Sequence, residues 1–174
     1  MSTILRFLSA TALGILLSLP LVASAQTAPQ QTAQQPHSVT QLARQQGVRT
    51  CLSRIDKTSH ALTQGSTSGA VVFPTGSAPD RQMFSNAFEV LGPSQVRYIS
   101  VDYAPDSERC NFSFESVQFW NTNCQQTAAT SFSNAKPVGL MKQQITVLEM
   151  SANARVFLMP AGNGCVSITK QVVR

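Results

Sequence analysis

At Gly69 the apolar pattern of this chain changes period, and that change limits the fold more than any other feature. Before it, Val48, Cys51, Leu52, Ile55 and Leu62 wind into one stripe at about 3.6 residues per turn. After it, apolar and polar residues alternate, as in Ile99-Ser100-Val101-Asp102-Tyr103. The expected architecture is α+β: one N-terminal amphipathic helix packed on an antiparallel β-meander of about six or seven strands, with two disulfides.

The helix is expected over residues 38–64. Ser38 and Gln41 have the spacing of a capping box, and Gly65 supplies the stop. Gly47 costs about 1 kcal/mol relative to Ala in a helix and marks where the first turns fray or break. Arg49, Arg54 and Lys57 fall on the side away from the stripe. They read first as a solvated helix back and second as an interaction surface for an acidic partner or anionic lipid.

Strands are expected at 70–73, 83–91, 96–103, 111–120, 145–150 and 155–159, with Val166, Ile168 and Val172 alternating in the last one. Phe112 and Phe114 share one parity and Val117 and Phe119 the other; a bulge near Glu115 and Ser116 would bring both pairs to the core. Between Asn121 and Leu140 the pattern is lost, which predicts a long loop or short helix. Gly162-Asn163-Gly164 marks a hairpin.

Residues Met1–Ala25 have the make-up of a secretory signal peptide: Arg6, an apolar run from Phe7 to Val22, then Ala23-Ser24-Ala25. The run is short for a membrane span and contains Pro20, and Gln26 rather than Cys follows the expected cut. No transmembrane segment or lipid anchor is expected after cleavage. Residues 26–37, QTAPQQTAQQPH, have no large apolar side chain and are expected to be a disordered Gln-rich linker before a single domain at 38–174. The expected location is periplasmic or secreted, in a Gram-negative bacterium.

Export makes Cys51, Cys110, Cys124 and Cys165 structural staples rather than a metal or redox site, since they contain no C-x-x-C pair. If residues 111–120 form one extended strand of roughly 33 Å, Cys110 and Cys124 lie at opposite ends of the sheet. That geometry favours Cys124 with Cys165 and leaves Cys51 for Cys110, whereas a break at the bulge would favour Cys110 with Cys124.

Without the leader the chain keeps 12 Lys and Arg against 8 Asp and Glu. This mild basicity is spread from Arg44 to Arg174 with no dense stripe, so nucleic acid is not an expected partner. Gly65-Ser66-Thr67-Ser68-Gly69 carries Thr where a nucleophile elbow needs Ser, and no strand precedes it. His60 stands four residues from Asp56, a spacing that more often makes a surface contact than a catalytic pair. Asp102, Asp106 and Glu108 lack the spacing of a calcium loop, and Glu89, Glu115 and Glu149 stand alone in strands. No cofactor is expected. Trp120, Phe112, Phe114 and Phe119 read as sheet core or as the lining of an apolar groove.

These features favour an exported non-enzymatic envelope protein, a protein-binding or assembly module whose partner is an envelope protein. The alternatives are a small envelope hydrolase using His60 or the 102–108 carboxylates, and a carrier of a small apolar ligand.

Overall fold

A computed structural model describes residues 35–93, 95–106 and 109–174. The expected signal peptide and residues 26–34 of the expected linker lie outside them.

The expected single helix is two helices. Helix α1, Ser38–Gln45, ends at Gln46, and Gly47 takes a φ of +88° that only glycine adopts freely, so the chain turns there before α2, Leu52–Thr63. The capping box does not form. His37 is the cap instead, its Nδ1 accepting from the Val39 backbone N–H at 3.3 Å, so this last residue of the expected linker is structured. The start of α2 is held by Asp80, whose carboxylate accepts from the backbone N–H groups of Arg49 and Thr50 at 2.7 and 2.9 Å. These two donors hold the Asp80 carboxyl below its usual pKa.

Eight strands follow rather than six or seven: β1 Thr67–Val72, β2 Phe84–Leu91, β3 Val96–Pro105, β4 Cys110–Trp120, β5 Lys136–Met141, β6 Ile145–Ser151, β7 Ala154–Ala161 and β8 Gly164–Val173. A third helix, α3 Cys124–Ser131, lies between β4 and β5, so helix is not confined to the N-terminal part. Asn123 caps α3 by accepting from the Gln126 N–H.

The sheet is antiparallel throughout, but it is not a simple meander. Its order is β1-β2-β3-β4-β8-β7-β6-β5, with β4 and β8 paired at the centre. The chain therefore leaves the middle of the sheet after β4 and returns at its far edge with β5, and α3 is the crossover. A helical segment followed by a four-stranded meander thus occurs twice, and the two meanders join through their last strands.

Each half has its own core and its own staple. In the first, Val39, Ala43, Val48, Cys51 and Ile55 pack on Phe84, Phe88, Ile99, Val101 and Tyr103, with Leu52 and Leu62 at the margin. The Tyr103 ring lies 6.0 Å from Phe84 and 5.9 Å from Phe112, and its burial pushes the phenol pKa up. In the second, Leu148, Val156, Leu158 and Cys165 pack with Trp120, Cys124 and Ala128. Cys51 bonds to Cys110 and Cys124 to Cys165, each linking the beginning of a helix to the beginning of the last strand in its half. The strand-length argument explains the pairing: β4 runs from Cys110 to Trp120 in unbroken register with both neighbours, which separates Cys110 from Cys124.

Unbroken register also removes the expected bulge. Phe112 and Phe114 face the helices, whereas Val117 and Phe119 face the opposite way. The pairing register places the sheet residues of both cores on one face, so α1, α2 and α3 all cover that face and, among the described residues, leave the other without a helix.

Candidate interaction surface

On the helix-free face, side chains two apart along each strand stand in rows that cross the sheet. One row runs Leu91, Val96, Phe119, Val166, Met159 and Ile145. The next runs Tyr98, Val117, Ile168, Phe157 and Val147. Phe119 and Tyr98 are each 50% exposed and Val96 54%, so large apolar side chains stand with no other element of the described residues over them. A face of this kind normally marks a contact surface, because burying each such side chain gains about 1.5 to 3 kcal/mol.

The third row is charged. Glu115, Lys170, Arg155 and Glu149 stand on adjacent strands, with Lys136 at the edge. Lys170 Nζ lies 2.7 Å from Glu115 Oε1, and Arg155 lies 2.9 Å from Glu149 Oε2. Glu115 and Glu149 thus face solvent, each paired with a cation rather than with a second carboxylate. Exposed pairs contribute at most about 1 kcal/mol each to stability, so the charges matter more for what the face accepts.

The apolar rows were hidden in the sequence by a two-sided strand. In β8 the core side carries Cys165, Ser167 and Thr169, while Val166 and Ile168 point away from the helices. The parity change between Phe114 and Val117 was the visible signal, and it denotes two apolar faces rather than a bulge.

Of Arg49, Arg54 and Lys57, the last two border one depression on α2. Arg49 precedes α2 and is exposed, with its backbone bound by Asp80. The Arg54 guanidinium lies 5.6 Å from the Phe112 ring centroid, and with Lys57 and Arg109 it borders a shallow depression beside Cys110. Between α2 and α3 runs a groove of about 310 Å³, with Leu62, Phe114, Trp120 and Phe132 beside polar Arg97, Ser116, Gln118 and Ser167. Trp120 Nε1–H donates to Ser167 Oγ at 2.8 Å, fixing the floor of the groove. Mixed polar lining and an open top give it little of the closed apolar cavity a lipid carrier requires.

His60 Nε2 lies 3.8 Å from Asp56 Oδ1, and the His37 and His60 rings meet edge-on at 5.2 Å. The same Asp56 oxygen accepts from the His37 backbone N–H at 2.8 Å and the Thr40 hydroxyl at 2.9 Å, tying α1 to α2. Asp102 lies on the other face of the sheet, accepting from the Ser85 hydroxyl at 2.6 Å, so it does not converge with His60. Glu108 lies outside the described residues. Among those described, no cluster of three His, Cys, Asp or Glu could hold a metal ion. Gly65-to-Gly69 is a helix-to-strand connection running into β1, and Gly162-Asn163 is the two-residue loop of the β7–β8 hairpin, Gly162 taking a φ of +57°.

The surroundings of His37 predict an acid response of the fold. Burial of His37 and the neighbouring His60 lower its pKa below 6.5, against the pull of Asp56. The unfolded chain therefore binds this proton more readily than the folded one, so the contribution of His37 is complete above pH 6.5 and is lost as pH falls below it. Burial raises the Asp56 pKa, but its hydrogen bonds from His37 and Thr40 outweigh this and lower it, so its contribution is lost only below 3.8. The Tm should fall between pH 7.5 and 5.5, and His37→Gln should flatten that fall; an unchanged slope in the variant would place the response elsewhere.

No helix of the described residues is long and apolar enough to cross a membrane. The two disulfides fit an oxidising, extracytoplasmic compartment. No protein-family model, curated protein or solved structure matches the chain.

Proposed function

We propose that this chain is a non-enzymatic protein of the bacterial envelope, periplasmic or secreted, which acts as a binding or assembly module through the helix-free face of its sheet. The observation that carries this reading is the pair of adjacent apolar rows crossing the sheet from Leu91 to Ile145 and from Tyr98 to Val147, uncovered by any helix of the described residues and bordered by paired charges. A broad apolar face with a charged border, whose hollows beside Phe157 and Lys170 (about 400 Å³) and beside Tyr98 and Ala87 are open rather than enclosed, suits a protein surface better than a small molecule, which needs an enclosing cavity. The separation of His60 from Asp102 by the sheet supports binding over hydrolysis.

The test is substitution of Phe157 and Ile168 by Asp in cells that make the exported protein. Their side chains leave the core untouched, so the circular dichroism spectrum should be retained while the complex captured by chemical crosslinking is lost. A complex that survives both substitutions would count against this surface.

A further inference from the structure

We infer that the helix-free face pairs with the same face of a second copy of this chain, the two sheets stacked about a two-fold axis parallel to β4 and β8. This rests on the reading that the face is the binding surface, and names its occupant.

The sheet order has β4 and β8 at its centre, with β3 and β7 flanking them. A two-fold rotation about an axis between the stacked sheets lays β4 of one copy on β8 of the other and keeps every row at its own height. Val117 then meets Ile168 of the second copy, Tyr98 meets Phe157, and Phe119 meets Val166, apolar against apolar, while Glu89, exposed beside Tyr98 on β2, falls at the rim over Val147. The same operation sets Glu115 opposite Lys170 of the second copy, and does so twice. Matching of both the apolar rows and the central charges by one rotation is what singles out a second copy. An anionic membrane would instead select a basic border, and Glu115 and Glu149 oppose that.

The area agrees. Three rows over six strands cover roughly 30 by 20 Å, about 600 Å² on each copy and on the order of 1,200 Å² for two, the lower end of stable protein interfaces. Sheets stacked in this way align within about 30°.

The test uses the exported protein, expressed with its own N-terminal segment and followed by light scattering and sedimentation from 1 to 200 μM. The wild type should pass from monomer to dimer across this range. Glu115→Lys places Lys on Lys170 of the second copy, and Lys170→Glu places Glu on Glu115, so each variant alone should bind itself about tenfold or more weakly. Both side chains are about half exposed, 44% for Glu115 and 49% for Lys170, and tolerate reversal without loss of fold. Mixing the two variants restores opposite charges only between copies, so the mixture should form a 1:1 heterodimer. A wild type that stays monomeric at 200 μM, single variants that dimerise like the wild type, or a mixture without heterodimer would each overturn the pairing. A monomer whose Phe157 still crosslinks another protein in cells would overturn self-pairing alone and leave the binding face standing.

Discussion

Replacing either pair of cysteines by alanine should lower the stability of the folded chain by about 4 kcal/mol, and replacing both pairs should leave it largely unfolded. The bridges close loops with sequence separations of 59 and 41, for which the chain-entropy estimate is about 4 kcal/mol each. Total stabilities of single domains lie at about 5 to 15 kcal/mol, so one staple is a large share and two approach the whole. The second half depends on its staple most, because Thr127 is the only α3 residue that is fully buried and the other α3 residues on the core, Cys124 and Ala128, are small and partly buried. Loss of Cys124–Cys165 should therefore free α3 first, seen as fast amide exchange at residues 124–131 before the sheet opens. Guanidinium unfolding of the two double variants checks the magnitudes. A midpoint unchanged in either one would mean that its half holds together by packing alone.

Gly164→Ala should cost about 3 kcal/mol, the upper end of what overpacking usually costs. A Cβ at this position would lie under 3.0 Å from the carbonyl oxygen of Trp120 and from the Phe119 ring. The ring has room to swing, but the carbonyl is the β4 backbone, and moving it disturbs the central β4–β8 ladder. The damage reaches both faces: Phe119 belongs to the outer apolar row, and Trp120 holds Ser167 and meets the Phe132 ring edge-on at 6.0 Å. Trp120 is the only tryptophan in the sequence, so its emission reports the change directly. The expected result is a red-shifted emission with a Tm lower by several degrees. An unaltered spectrum and Tm would show that β4 yields without cost.

Where the sequence was legible, local chemistry sufficed. The stripe of Val48, Cys51 and Ile55 is buried as its spacing demands, Gly47 breaks the helix where its cost was felt, and Ile99, Val101 and Tyr103 face the core. β5 escaped because Pro137 and Gly139 disguise it, and its six residues are all exposed, so no alternation was written into it. α3 is the short helix left open beside a loop at residues 121–140, because small residues, Cys124, Thr127 and Ala128, make its core side, and a disulfide and the Asn123 cap fix it. The pairing of β4 with β8 is non-local, and a meander is the simplest order that local pattern suggests. An apolar sheet face is a readable binding surface, but its residues are not, because strands with apolar residues on both faces read as irregular.

The most direct measurement places a photo-crosslinking amino acid at position 157, on the helix-free face, and in a separate protein at position 57, on the back of α2, in living cells. A binding face predicts discrete covalent adducts from position 157, at twice the mass of the chain or with another envelope protein, and none from position 57. Adducts from position 57 alone, or from neither, would contradict it.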